Sequence, residues 1–243
     1  MSTPRNWTIA LILASAALGQ PPNLARRAAE RESQAMEARG NYTYRQTVLI
    51  QEMPGKGSRG GEYREVREVI FSPSGERSER MVGKPLMNLG RLRLTEEDFR
   101  DVREVQPFLF TKDLLWLYES KFRGEEVVKG VDCWLLEVKP RQVHQGMRLF
   151  QGTLWVDKND FSTVRTDGVA VPQILRKNEE NLFPHFVTER TRIDGHWFPV
   201  LTGAEETLPF SAGPITMRMR IEYSEYKRFG ASSTVTFDPV EKK

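Results

Sequence analysis

The residues able to do chemistry are few and scattered. Histidine occurs three times, as His144, His185 and His196, and none stands at a metal-ligand spacing from another His, Cys or carboxylate. The single cysteine, Cys133, allows no internal disulfide and completes no zinc set. The chain contains no H-E-x-x-H, no G-x-S-x-G nucleophile turn and no glycine-rich phosphate loop. Carboxylates are plentiful, but in stretches such as YREVREV their charge alternates with arginine. That pattern describes a solvated, ion-paired face rather than an acid–base pair. The expectation is therefore a protein that is not an enzyme, with no catalytic residue, no metal site and no cofactor.

The other chemistry within reach is burial of apolar ligand, and here the sequence is richer. Trp134, Leu136 and Val138 alternate with other residues, as do Leu154 and Val156, and Met217 and Met219. Side chains two apart share one face of a strand. Methionine adapts to varied apolar partners. Phe99, Val102, Leu114 and Leu115 fall in helix-like patterns that interrupt the strands. The seven strand residues are candidate walls of a hydrophobic cavity, and the other four its candidate lid. Burial of an acyl chain there contributes about 0.8 kcal/mol per methylene. The competing expectation is a solid core in which these side chains fill one another's space.

The elements that position these residues are mostly strands. Residues 23–39 read as a helix, with Asn23 as N-cap and Gly40 as stop, and with Leu24, Ala28, Ala35 and Met36 along one stripe. Strands follow at 41–51 and 62–71, then a short one to about 82. Thr95 with Asp98 spells a capping box for a helix carrying Phe99 and Val102. Thr111 opens a second short helix, KDLLWLYE. Seven further strands are read at 119–129, 131–139, 147–157, 161–171, 183–193, 197–208 and 214–228, divided by turn residues such as Asp194-Gly195. In the last, Ile215, Met217, Met219, Ile221 and Tyr223 face one side. About ten strands joined by short turns make an antiparallel meander, as one large curled sheet or two stacked ones.

The first twenty residues, MSTPRNWTIALILASAALGQ, have the order of an export signal. Arg5 precedes a charge-free run from Thr8 to Leu18, and Ala17 and Gly19 suit a cut before Gln20. That run is too short for a hydrocarbon core of roughly 30 Å. The expected organisation is a signal peptide over 1–19, one domain over 20–228 and a polar tail over 229–243, in a monomer exported to the periplasm. The net charge of +3, without a basic run, gives no footprint for nucleic acid.

Three stretches in this order, VKGVDCWLLEVKPR (128–141), GTLWVDKNDFSTVRTDG (152–168) and TRIDGHWFPVLTGAEE (191–206), resemble the outer-membrane lipoprotein-sorting family, the relatives of the periplasmic lipoprotein carrier LolA. The resemblance implies an unclosed antiparallel β half-barrel whose concave face is covered by an N-terminal helix and a short helical insertion. It also implies a cavity for lipid or lipoprotein acyl chains, exchanged with a transfer partner at the inner or outer membrane. The alternative on the same fold is an envelope sensor or interaction module that signals through a partner protein.

Overall fold

The computed structural model describes residues 21–55, 57, 59–71, 77–104, 110–142, 148–176 and 179–229. The expected signal peptide, and the tail beyond Phe229, lie outside the described residues. Helix α1 (Leu24–Arg39) leads into β1 (Tyr42–Glu52), β2 (Gly61–Phe71), β3 (Arg77–Met81) and β4 (Leu86–Met87). Helix α2 (Glu96–Glu104) and a 3-10 turn (Leu115–Leu117) interrupt the strands. Next come β5 (Tyr118–Val128), β6 (Val131–Pro140), β7 (Leu149–Asp157) and β8 (Thr163–Val171), then a small separate hairpin, β9 (Ile174–Arg176) and β10 (Glu179–Asn181). Strands β11 (Phe186–Ile193), β12 (His196–Leu208) and β13 (Ile215–Arg228) complete the described chain.

Eleven strands form one sheet in the order β3-β2-β1-β13-β12-β11-β8-β7-β6-β5, with β4 paired to β2. The pairings are antiparallel. The sheet does not close, because β3 and β5 are its two ends. The meander is broken where β13 returns to pair with β1, where β11 pairs with β8 past the separate β9-β10 hairpin, and where β4 returns to β2. Helix α1 lies over β12 and against the 3-10 turn, on the concave face. The expected half-barrel is the observed architecture.

Strand polarity sets which face is concave. In β13, Ile215, Met217, Met219, Ile221 and Tyr223 are buried and alternate with wetter residues. The register sets Met219 opposite Ile50 of β1 and Ala204 of β12. On the far side, Leu136 faces Leu154 and Trp134 faces Val156. A one-residue slip of any of these strands would turn its apolar set to water, so the pattern fixes the register. A second, smaller cluster of Val128, Cys133, Trp155 and Val164 packs on the outer face. Burial pushes the Cys133 thiol up to about 12, so it is a packing group there.

Three local expectations are corrected. Asn23 holds the N-cap position in a left-handed conformation, without a side-chain cap bond. Met36 is 42% exposed, and Glu32 is buried on the stripe instead. The reason is Arg190 of β11, whose guanidinium donates to Glu32 at 2.6 Å, both side chains being almost fully buried. The helix expected from Thr111 is only the 3-10 turn. Tyr118 is already extended and paired with Pro140, so β5 takes the residues that a longer helix would need.

Candidate functional site

The concave interior has a filled half and a hollow one. Under β6, β7, β8 and β11, Leu136, Val138, Phe150, Leu154, Val156 and Phe186 show no exposure. Phe150 lies over a bare patch formed by Gly152 and Gly168, which face each other across β7 and β8. Its ring tip would stand 2.8 and 2.7 Å from a Cβ added at either glycine. Phe186 and then Phe183 continue the aromatic stack, at 5.8 and 6.1 Å. Phe110 closes edge-on against Tyr118 at 5.5 Å, and the Tyr118 hydroxyl accepts the Phe150 N–H. The described side chains of this half are packed against one another.

The hollow half lies over β1, β12 and β13. Ile50, Met217 and Met219 form its floor, and Leu208 and Phe210 one side. Leu92 and Leu94 wall it from the chain before α2, Val102 from α2 itself, and Leu182, Phe183 and Pro184 from the chain after β10. The cavity measures about 40 Å³, and its polar lining residues are Arg93, Asp98 and Glu180.

Polar groups set this lid in place. The Glu52 carboxylate accepts the N–H groups of Gly90, Arg91 and Leu92 at 3.1, 2.7 and 3.1 Å, which pins the segment carrying Leu92 to the end of β1. Arg91 donates to the carbonyls of Gly213 and Pro214. The Thr95–Asp98 capping box forms as its spelling predicts, with Thr95 N–H donating to Asp98 at 2.7 Å. Asp101 pairs with Arg148, tying α2 to the chain entering β7. Burial outweighs that arginine and pushes the Asp101 carboxyl up to about 7. Glu180 accepts both the N–H and the hydroxyl of Ser211, each at 2.8 Å.

Of the residues expected to wall or cover a cavity, Met217, Met219 and Val102 meet at this one. Leu136, Val138, Leu154 and Val156 share the same face but sit in the filled half. Trp134 is half-buried with its ring 4.8 Å from that of Phe161. Phe99 packs edge-on against Tyr63 at 5.5 Å, and Leu114 and Leu115 press on the core from its margin. Sequence reasoning did not name Ile50 and Leu208 as wall, although strand alternation marks Ile50. Leu92, Leu94, Leu182 and Phe210 lie in connections with no periodic signal, and Phe183 and Pro184 precede β11 rather than opening the strand read at 183–193. Among the described residues no group of three or more His, Cys, Asp or Glu could hold a metal ion. His185 pairs with Asp167 at 2.9 Å, His196 stacks on Phe198, and His144 is outside the described residues.

No family model matches the chain, and no curated protein sequence matches it significantly. Distant structural similarity exists to solved proteins of the LolA superfamily and its neighbours. A DUF1329 family protein from Desulfovibrio piger is 15% identical over 86% of this chain and 93% of its own, with a TM-score of 0.42. A putative outer membrane lipoprotein-sorting protein domain from Vibrio parahaemolyticus is 10% identical over 84% and 93%, with a TM-score of 0.38. A LolA superfamily protein from Nitrosomonas europaea is 15% identical over 86% and 99%, with a TM-score of 0.33.

Proposed function

We propose that this protein is a periplasmic carrier or binding protein for lipid acyl chains, working in outer-membrane lipoprotein or lipid sorting. The observation that carries the reading is the hollow half of the sheet, an apolar cavity floored by Ile50, Met217 and Met219 and lidded by separate short segments. A cavity of about 40 Å³ is well below the roughly 150 Å³ of a cavity that takes up benzene. An acyl chain therefore enters only when the lid shifts. Helix α2 suits that role: it has nine residues, an ion pair at Asp101 and two apolar contacts, Phe99 and Val102. Each methylene taken up contributes about 0.8 kcal/mol, which offsets the loss of lid packing after a few carbons.

The test is titration of delipidated protein with a fluorescent fatty acid. Saturable one-to-one binding is expected, and Met219→Trp, which fills the cavity, should weaken it while the fold survives. Absence of saturable binding up to the solubility limit of the probe would reject the carrier. One observation favours a second reading: the described apolar side chains beneath β6 to β8 are fully buried against one another. On that reading the same fold is an envelope sensor or interaction module, and it would purify with a stable partner and without lipid.

A further inference from the structure

The free edge of the sheet beyond β2 carries a feature that the cavity does not use. Strands β3 and β4 both pair with β2, and among the described residues no strand pairs with their outer sides. Between them the chain turns at Gly83, with φ +78°, and Pro85, with Lys84 at the tip. Every residue from 81 to 88 is exposed. Met81 and Val82 are each 40% exposed, Leu86 45% and Met87 54%. Single exposed apolar residues are ordinary, but four within seven positions on one projecting edge form a patch.

Charge says what that patch meets. Arg59, Arg64 and Lys84 are exposed and form no ion pair among the described residues, whereas Arg93 lies with Asp98 and Glu180 at the cavity and Arg91 turns its guanidinium to backbone carbonyls. The nearby acids are largely committed. Glu52 holds three backbone N–H groups, Glu79 pairs with Arg67 and Arg77, and Glu68 with Arg80 and Arg45. Glu62 is left. The edge thus joins exposed methionine and aliphatic side chains to uncompensated positive charge. Beside it lies an open polar cleft of about 380 Å³ between Arg59, Glu62 and Asn88.

We propose that the edge at residues 81–88 docks on a membrane surface carrying anionic headgroups and brings the cavity mouth to the bilayer. The apolar side chains stand at the end of β3, on β4 and beside the exposed turn between them, at the free edge of the sheet, which suits a soft surface into which they can sink. The cations supply attraction to its headgroups. Continuity gives the edge a use: the chain runs from Met87 through the Glu52-held segment directly to Leu92 and Leu94, which wall the cavity. The inference rests on the acyl-chain reading, since a bilayer is where such cargo is taken up or left.

Vesicle co-sedimentation tests it, using phosphatidylcholine vesicles with and without phosphatidylglycerol. The protein should bind the anionic vesicles, release them as salt rises, and ignore the neutral ones. Lys84→Glu should weaken binding at least about tenfold, and Leu86→Ser with Met87→Ser should abolish it. Both variants sit on exposed positions and should keep the melting temperature and the fatty-acid titration of the unaltered protein. Equal binding by the variants, or equal binding to neutral vesicles, would overturn the proposal. So would a shift from dimer to monomer in Leu86→Ser/Met87→Ser with vesicle binding unchanged, because the edge would then join two copies of the chain. Loss of fatty-acid binding in the same variant would also overturn it, since the edge would then belong to the cavity. If the unaltered protein binds anionic vesicles through this edge but takes up no fatty acid, the docking edge stands and the carrier reading falls.

Discussion

Gly152 and Gly168 show how one missing side chain decides where the interior is solid. A Cβ at Gly152 would also meet the Asp167 carbonyl at 2.2 Å, so neither backbone nor ring leaves it room. Gly152→Ala should destabilise by about 1–3 kcal/mol through overpacking. Gly203 of β12 has open space around its Cβ position. Gly203→Ala should be neutral or add up to about 1 kcal/mol by restricting the unfolded chain. Chemical denaturation of the two variants separates them. The sequence reading placed both close-packed glycines within strands but could not say that they face each other, because their register is set by the pairing of β7 with β8. Asp101 is a second residue-scale test. Its carboxyl binds a proton more tightly folded than unfolded, since burial raises it to about 7. Folded protein then holds the extra proton between about pH 4 and pH 7, and stability declines as pH rises across that window. Asp101→Asn removes this contribution. The stability of the native chain relative to the variant should therefore fall between pH 5 and pH 8, and urea melts at the two values measure it. A constant difference would mean that Arg148 holds the carboxylate ionised throughout.

At the scale of elements, strands were the most legible feature, and the reason is their one-sidedness. The apolar and polar positions of β13 alternate without a break from Ile215 to Tyr223. Met217→Asp should cost several kcal/mol, because it buries an unpaired charge. Arg218→Ala removes only an exposed pair with Glu205 and should stay within about 0.5 kcal/mol. Equal effects in urea melts would reverse the assigned faces. Helix α1 was legible in extent and, through Leu24, Ala28 and Ala35, in face, but Met36 was placed on that face and Glu32 was not. Glu32 reads as one more charge in a charged helix, and its partner Arg190 lies 158 residues away. Removing one member alone, as in Arg190→Met, should destabilise by about 3–5 kcal/mol, since it strands a buried charge. The double replacement Glu32→Leu with Arg190→Met should recover most of that loss. Thermal melts of the single and double variants decide whether this pair or the alanine face holds α1 down.

For the whole molecule, the architecture followed from strand count, short turns and two helical interruptions. The position of the cavity did not. Leu136, Val138, Leu154 and Val156 carry the same alternation as Met217 and Met219, so pattern alone gave no reason to prefer either side. The difference comes from what lies above each. Phe150, Phe186 and Phe110 fill one half, whereas irregular segments around Leu92, Leu182 and Phe210 bridge the other without filling it. Such segments have no period to read, and they reach the cavity only through the long-range pairings of β1, β12 and β13. The central claim is that acyl chains enter on this side. Methionine methyl NMR during titration with a fatty acid tests it most directly, because Met217 and Met219 line the cavity while Met36, Met81 and Met87 stand exposed. The Met217 and Met219 methyls should shift together and saturate, with Met36 unmoved. Shifts confined to Met81 and Met87, with Met217 and Met219 silent, would contradict the claim and leave only adsorption at the surface.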